Sequence, residues 1–311
     1  MTPMVRALGQ RLYAQPYLLL TLTPLIWACN AVAGRALVDE VSPMVTTLLR
    51  WGLVLVLLPV IARRQILAER HLLRRHWLFI LVMGTVGFTG FNAPLYLGAA
   101  TTTAVNMGMI QGVMPALVLA GSFFAYRTPF TPLQVIGLIV ALVGVGVTVS
   151  HGDLELLKAL QVRPGDLWVL FACVLYAGYT VALRRRPPIS ALAFFAGLSL
   201  SAFLSTLPLV GLEIWAGTVR WPGPKGWSIL LFLAIFPSLV SQIFYMRGVE
   251  LIGPGRAGLF VNLVPVFAAI LGVLMLGETF APYHAVALAL VLAGIALAEI
   301  GRPRSAHAAQ G

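Results

Sequence analysis

Asn30, Asn92, Asn106, Gln111, Gln242 and Asn262 carry amide groups, and Trp27, Tyr96, Tyr176, Tyr179 and Tyr245 carry polar aromatic rings, all within apolar stretches of the sequence. Where such a stretch lies in hydrocarbon every polar group needs a protein partner, so these side chains should face inward rather than lipid. Any one of them could equally be a contact between helices; together they describe a neutral, polar-aromatic cavity. Amides and hydroxyls beside broken helix ends can hold both ends of a zwitterion, because a helix N-terminus favours a carboxylate and freed carbonyls favour an ammonium. The rings would supply apolar walls and cation-π contact. Pro94 and Pro237 interrupt the third and eighth apolar runs, and Pro115 and Pro265 the fourth and ninth. Each removes a backbone donor and marks a place where a helix breaks or gates.

Ionisable groups at depth are costly, about 2.5 to 3.5 kcal/mol on insertion scales, and are usually functional. Helix 1 has none before Arg35, and helices 3, 4, 6 and 9 read as having none within their spans. A cation/proton antiporter would be expected to hold a midplane carboxylate, and nothing fills that role. Glu213, Glu250 and Glu299 read as solvated helix ends. Arg50, one and a half to two turns into helix 2, could snorkel, face a wet cavity or pair with Asp39 or Glu40, and pairing is the favoured reading. His71 and His76 sit in an Arg-rich loop, His151 in another loop and His284 near the start of helix 10, so no histidine cluster is expected. Cys29 and Cys173 lie in apolar runs and read as packed thiols, not as a disulfide or metal site. The expectation is no catalytic residue, no cofactor and no metal.

The elements that must position these residues follow from composition. Of 311 residues 59% are hydrophobic and 10% charged, with mean hydropathy +0.93; soluble domains carry about 25% charge. This is a membrane protein with the lipid bilayer as a partner. A formal charge of +11 could suggest nucleic acid, but the basic residues fall in short clusters between apolar segments, so no nucleic acid is expected. A bilayer core takes about 20 residues of helix. Ten such runs are predicted: 17–38, 44–62, 77–97, 101–125, 132–149, 166–183, 190–212, 227–247, 254–276 and 282–299. Arg6 and Arg11 ahead of the first run, with "AVAG" at 31–34, resemble a signal peptide, but the repeat described next needs that helix. With both termini cytoplasmic, fifteen basic residues fall inside and five outside, as the positive-inside bias requires.

Shifted by 150 residues, Gly98, Gly108, Pro115, Phe130, Pro132 and Gly144 fall on Gly248, Gly258, Pro265, Phe280, Pro282 and Gly294. Upstream, at a shift of 149, "WACNAV" at 27–32 lies against "YAGYTV" at 176–181. The chain therefore divides into a cytoplasmic segment 1–16, a five-helix half 17–149, an outer linker 150–165, a second half 166–299 and a tail 300–311. Five is odd, so the halves must cross the membrane in opposite directions. Charges agree: Arg127 in a cytoplasmic turn is matched by Gly277 in an outer one. The fold class is thus all-α, ten transmembrane helices in two inverted repeats, an architecture that in transporters places substrate near the midplane for alternating access.

These features, with "W-A-C-N" in helix 1 and the paired runs "RTPFTPLQVIGLIVALVGV" and "GETFAPYHAVALALVLAGI", resemble the drug/metabolite transporter superfamily, EamA type, and within it the bacterial amino-acid exporters of the YddG kind. The resemblance covers about residues 17–299. It implies an inner-membrane exporter whose central helices enclose a cavity while helices 5 and 10 stand at the periphery. One departure is visible: the family often has an acidic residue before both helix 5 and helix 10, yet here Thr128 stands opposite Glu278. Glu278 then reads as an outer-rim carboxylate that complements the positive end of helix 10. The expected cargo is an amino acid or similar small zwitterion, and the chain could act as a monomer. A nucleotide-sugar or drug-like metabolite carrier is the alternative on this fold, and a non-transporting scaffold or sensor the alternative from another class.

Overall fold

The computed structural model describes residues 14–127, 131–153, 163–252 and 260–301. Thr128, Phe130, Gly258 and the first thirteen residues lie outside the described residues, as do Lys158, Arg256, Arg302 and Arg304, four of the basic residues in the inside and outside counts. Among the described residues seven helices are long and apolar enough to cross a membrane: α1 Pro16–Ala36, α2 Pro43–Ala68, α3 Trp77–Ala99, α4 Ala104–Tyr126, α6 Pro164–Arg185, α7 Ala191–Trp215 and α8 Pro224–Val249. Three shorter apolar helices accompany them: α5 Pro132–Val149, α9 Val264–Leu276 and α10 Pro282–Ile300. Proline opens α1, α2, α5, α6, α8 and α10, where its missing N–H costs nothing and its fixed φ starts the helix.

The bundle has two ends. At one, called here the near end, Thr131 Oγ1 donates to the Gly301 carbonyl at 2.8 Å and Ser190 donates from N and Oγ to the Glu69 carboxylate at 2.8 and 2.9 Å. At the far end Ser42 Oγ donates to Glu213 at 2.6 Å, and Glu278 accepts from the Ala104 and Val105 amides at 2.8 and 2.9 Å. Successive helices alternate between the ends, so α1 and α6 run in opposite directions.

Backbone irregularities recur along the chain at a separation of 149 or 150. A π-helical turn begins at Thr85 in α3 and another at Ala234 in α8. A break at Gly112–Val113 is answered at Asn262–Leu263, each just before a helical segment carrying Pro115 or Pro265 in its first turn. Those segments end on left-handed residues, Arg127 and Gly277. Pro94, by contrast, sits inside a regular segment, Gly90–Ala99, and the irregular turn lies just ahead of it at 85–89. This corrects the expectation that the break falls at Pro94: a proline removes the bond to the preceding turn and crowds that turn's carbonyl, so the distortion appears upstream.

Packing is tightest where helices cross at glycine. A Cβ on Gly137 would lie 2.5 Å from the Gly294 carbonyl oxygen, and one on Gly294 would lie 2.5 Å from the Ala141 nitrogen, so α5 and α10 meet backbone to backbone. Their other faces are exposed and apolar, with Ile136, Ile139, Val143 and Val286 outward. That outward apolar surface is what a lipid-facing helix pair presents.

Candidate functional site

A cavity of about 360 Å³ runs between the helices, lined by residues of α1, α2, α3, α4, α6, α8 and α9, with Gln134 of α5 and Ile295 and Ala298 of α10 closing one side. Its lining descends from Arg50 in mid-bundle to Leu183, Gln134 and Ala298 at the near end. Both broken helix pairs open onto it. Pro237 and Ser238 come from the π turn of α8, and Gln111, Met114 and Pro115 flank the break of α4. A widened turn frees backbone groups and re-aims side chains, and Gln111 and Ser238 reach the cavity from these irregular stretches.

Arg50 dominates the site. The residue is 5% exposed, and its guanidinium donates to Asn30 Oδ1 at 2.7 Å, Asn92 Oδ1 at 2.8 Å, Tyr96 Oη at 2.6 Å and Ser238 Oγ at 2.7 Å. It also lies 5.3 Å from the Trp51 ring centroid. No carboxylate pairs with it among the described residues. Asp39 and Glu40, the expected partners, bind Arg220 at 3.0 Å and Lys225 at 2.8 Å instead. The expectation of an uncharged cavity is therefore corrected. Asp39 and Glu40 sit in the turn before α2, whereas Arg50 is two turns along the helix, turned toward Asn30, Asn92 and Tyr96.

Of the residues expected to line the cavity, Trp27, Asn30, Asn92, Gln111, Tyr176, Gln242, Tyr245, Pro115 and Pro237 do so. Trp27 donates to Ser241 Oγ at 2.9 Å and packs on Tyr245 with ring centroids 5.5 Å apart. Tyr96 stands behind Arg50, where it also donates to Asn30. Tyr179 lies one layer out, against Phe88 and Tyr176. Asn262 occupies the α9 break, and neither it nor Pro94 nor Pro265 lines the cavity. Asn106 belongs elsewhere: it points to the far end, toward Asp166 and His284.

Asp166 overturns the reading of helix 6 as free of ionisable groups. It lies in the first turn of α6, fully buried, with Oδ1 accepting from the Thr102 hydroxyl and from Asn106 Nδ2 at 3.4 Å. His151 and His284, expected to stand alone, gather round it. Only chain topology brings residues 102, 151, 166 and 284 together; the one local signal was an acid beside "RPG" at a helix start. Glu213 is likewise no solvated end, because it accepts from Ser42 Oγ and from the Met44 amide at 3.0 Å, capping α2. Glu278 caps α4 through Ala104 and Val105 rather than complementing α10.

A multi-pass helical bundle with a largely apolar cavity that holds a few buried polar groups, and broken helices around it, is the build of a membrane transporter. The chain belongs to the EamA-like transporter family, whose model matches residues 15–150 and again residues 163–299, and it is a multi-pass protein of the inner membrane. It is 26% identical to the uncharacterized transporter YyaM of Bacillus subtilis over 263 residues, covering 83% of this chain and 85% of that protein. It is 27% identical to the threonine/homoserine exporter RhtA of Escherichia coli K12 over 215 residues, 67% of this chain and 66% of RhtA. A solved crystal structure superposes with a TM-score of 0.62 at 20% identity, covering 92% of this chain and 98% of that one, which shows a shared fold.

Proposed function

We propose that the protein exports amino acids, or small metabolites that share their carboxylate, by alternating access through the cavity below Arg50. The observation that carries this is the buried guanidinium that has no carboxylate partner among the described residues and is held by four neutral acceptors. Neutral acceptors fix its direction and leave its charge uncompensated, which favours an anionic group on the cargo. Below it Trp27, Tyr176 and Tyr245 form an aromatic surround that suits an ammonium or an apolar side chain. The likeness to RhtA supports the same class.

On this reading the chain forms two five-helix repeats of opposite direction, ten spans in all, with the near end and both termini cytoplasmic. The captured state is open toward the cytoplasm, because the cavity reaches residues of the near end while the far end is tied by Glu213, Glu278 and Asp166.

Counterflow in proteoliposomes with threonine, neutral and aromatic amino acids tests the proposal. Exchange above empty vesicles for at least one of them, and its loss in Arg50→Gln, is expected. Uptake no greater than in empty vesicles across the panel overturns it. A nucleotide-sugar is less suited, since among the described residues Arg50 is the one cation in the lining, where a diphosphate calls for several.

A further inference from the structure

Asp166 and His151 face each other at the far end with their polar atoms unsatisfied. Asp166 Oδ2 and His151 Nε2 lie 3.8 Å apart, and neither has a hydrogen-bond partner among the described residues. A buried acceptor left unpaired keeps its full desolvation penalty, so two facing each other in one gap require an account. If both are acceptors, as an ionised carboxylate and a neutral imidazole nitrogen are, the gap is repulsive; one proton placed between them turns it into a charge-assisted hydrogen bond.

The surroundings decide which group takes that proton. From α10, His284 Nδ1 accepts the Ala281 amide at 2.9 Å, so its Nε2 carries the hydrogen and donates to Asn106 Oδ1 at 3.1 Å. His284 is thereby committed as a neutral donor. Asn106 Nδ2 and the Thr102 hydroxyl occupy only Oδ1 of Asp166, which leaves Oδ2 open. Tyr283 packs edge-on against His151, with centroids 5.9 Å apart. Arg163 precedes α6 and adds positive charge near the pair; the connection before α4 contributes Thr102 and Asn106, and no charged group. Burial, reinforced by Arg163, holds the His151 imidazole below its ordinary range while the Asp166 carboxylate pulls the other way. His151 is 17% exposed at its side chain and gives the pair a route to the far side.

We propose that the gap between His151 and Asp166 is a proton-binding site that latches the far end of the bundle, tying far-side pH to transport. His151 follows α5 and Asp166 opens α6, and the chain of hydrogen bonds runs on through Asn106 to His284 of α10. A proton taken from the far side joins the loop to the helix and strengthens closure; its release loosens that end. In the transport reading, on which the coupling sense rests, an acid exterior resets an exporter to its inward-open state.

Two readouts need no cargo and so stand apart from failure of that reading. The first is proton uptake by the purified protein in nanodiscs between pH 8 and 5, followed with an indicator dye. Wild type should show a step below pH ~6.5 that disappears in His151→Gln and moves to lower pH by about one unit or more in Asp166→Asn, because the imidazolium has lost its carboxylate. A step unchanged in Asp166→Asn overturns the shared site. The second is the distance between spin labels at Ala100→Cys and Thr279→Cys, with Cys29 and Cys173 replaced by alanine. The wild-type distribution should narrow on acidification and that of His151→Gln should not. Identical distributions at both pH values overturn the latch.

Discussion

Arg127 and Gly277 stand 150 residues apart, end equivalent helices, and share left-handed backbone, with φ of 53° and 64°. Glycine occupies that region without penalty, while an L-residue pays about 1 to 2 kcal/mol there. Arginine at the first position therefore carries strain that its counterpart lacks. Arg127→Gly should raise the thermal midpoint of the detergent-solubilised protein, by about 1 kcal/mol in stability, and Gly277→Ala should lower it by a similar amount. Fluorescence-detected size-exclusion after heating measures both.

Helices α2 and α7 cap one another. Glu69, just past α2, binds the first residues of α7 through Ser190, and Glu213, near the end of α7, binds the start of α2 through Ser42 and Met44. Losing such a cap costs about 1 kcal/mol. Glu69→Gln and Glu213→Gln should each cause a modest loss of thermal stability, and the double variant their sum, since the two caps lie at opposite ends of the bundle and share no partner.

Gly137 and Gly294 let α5 and α10 touch along their backbones. A Cβ on Gly294 would meet the Ala141 nitrogen at 2.5 Å and the Gly137 oxygen at 2.6 Å, and backbone does not yield as a side chain end does. Gly294→Ala should cost about 1 to 3 kcal/mol through overpacking, seen as reduced monodisperse yield. Gly211→Ala, where no atom lies within 4 Å of the new methyl, is the neutral control.

Arg50 should be the most sensitive residue of the cavity. Arg50→Gln is expected to lower cargo affinity about 10-fold or more, which is roughly 1.4 kcal/mol. Arg50→Lys should recover part of it, because the charge remains and the planar fork does not. Binding of a labelled amino acid by scintillation proximity separates the two.

Glu278→Gln should leave transport in folded protein and reduce stability modestly, because the amide oxygen still accepts one of the two α4 amides that the carboxylate now holds. Complete loss of transport by a well-folded Glu278→Gln protein would assign the carboxylate a role in the transport cycle instead. Counterflow normalised to the monodisperse fraction reads both.

The membrane class, the positions of the apolar helices and the recurrence of Gly and Pro at a fixed separation were determined by the sequence itself. Hydrocarbon imposes a length and polarity on each span, and glycine and proline fix backbone shape wherever they stand. Most of the amides and rings facing the cavity were legible for the same reason, since a polar group in lipid must turn inward. The tertiary structure alone decided what those groups meet. Arg50 read as a partner for Asp39 or Glu40, its neighbours in the chain, but helical rotation carries it to Asn30, Asn92 and Ser238 on three other elements. Asp166, His151 and His284 each looked isolated, because hydrogen bonds between residues 60 to 180 positions apart leave no periodic trace. Local sequence sets which way a helix faces; only packing sets which charges share a space.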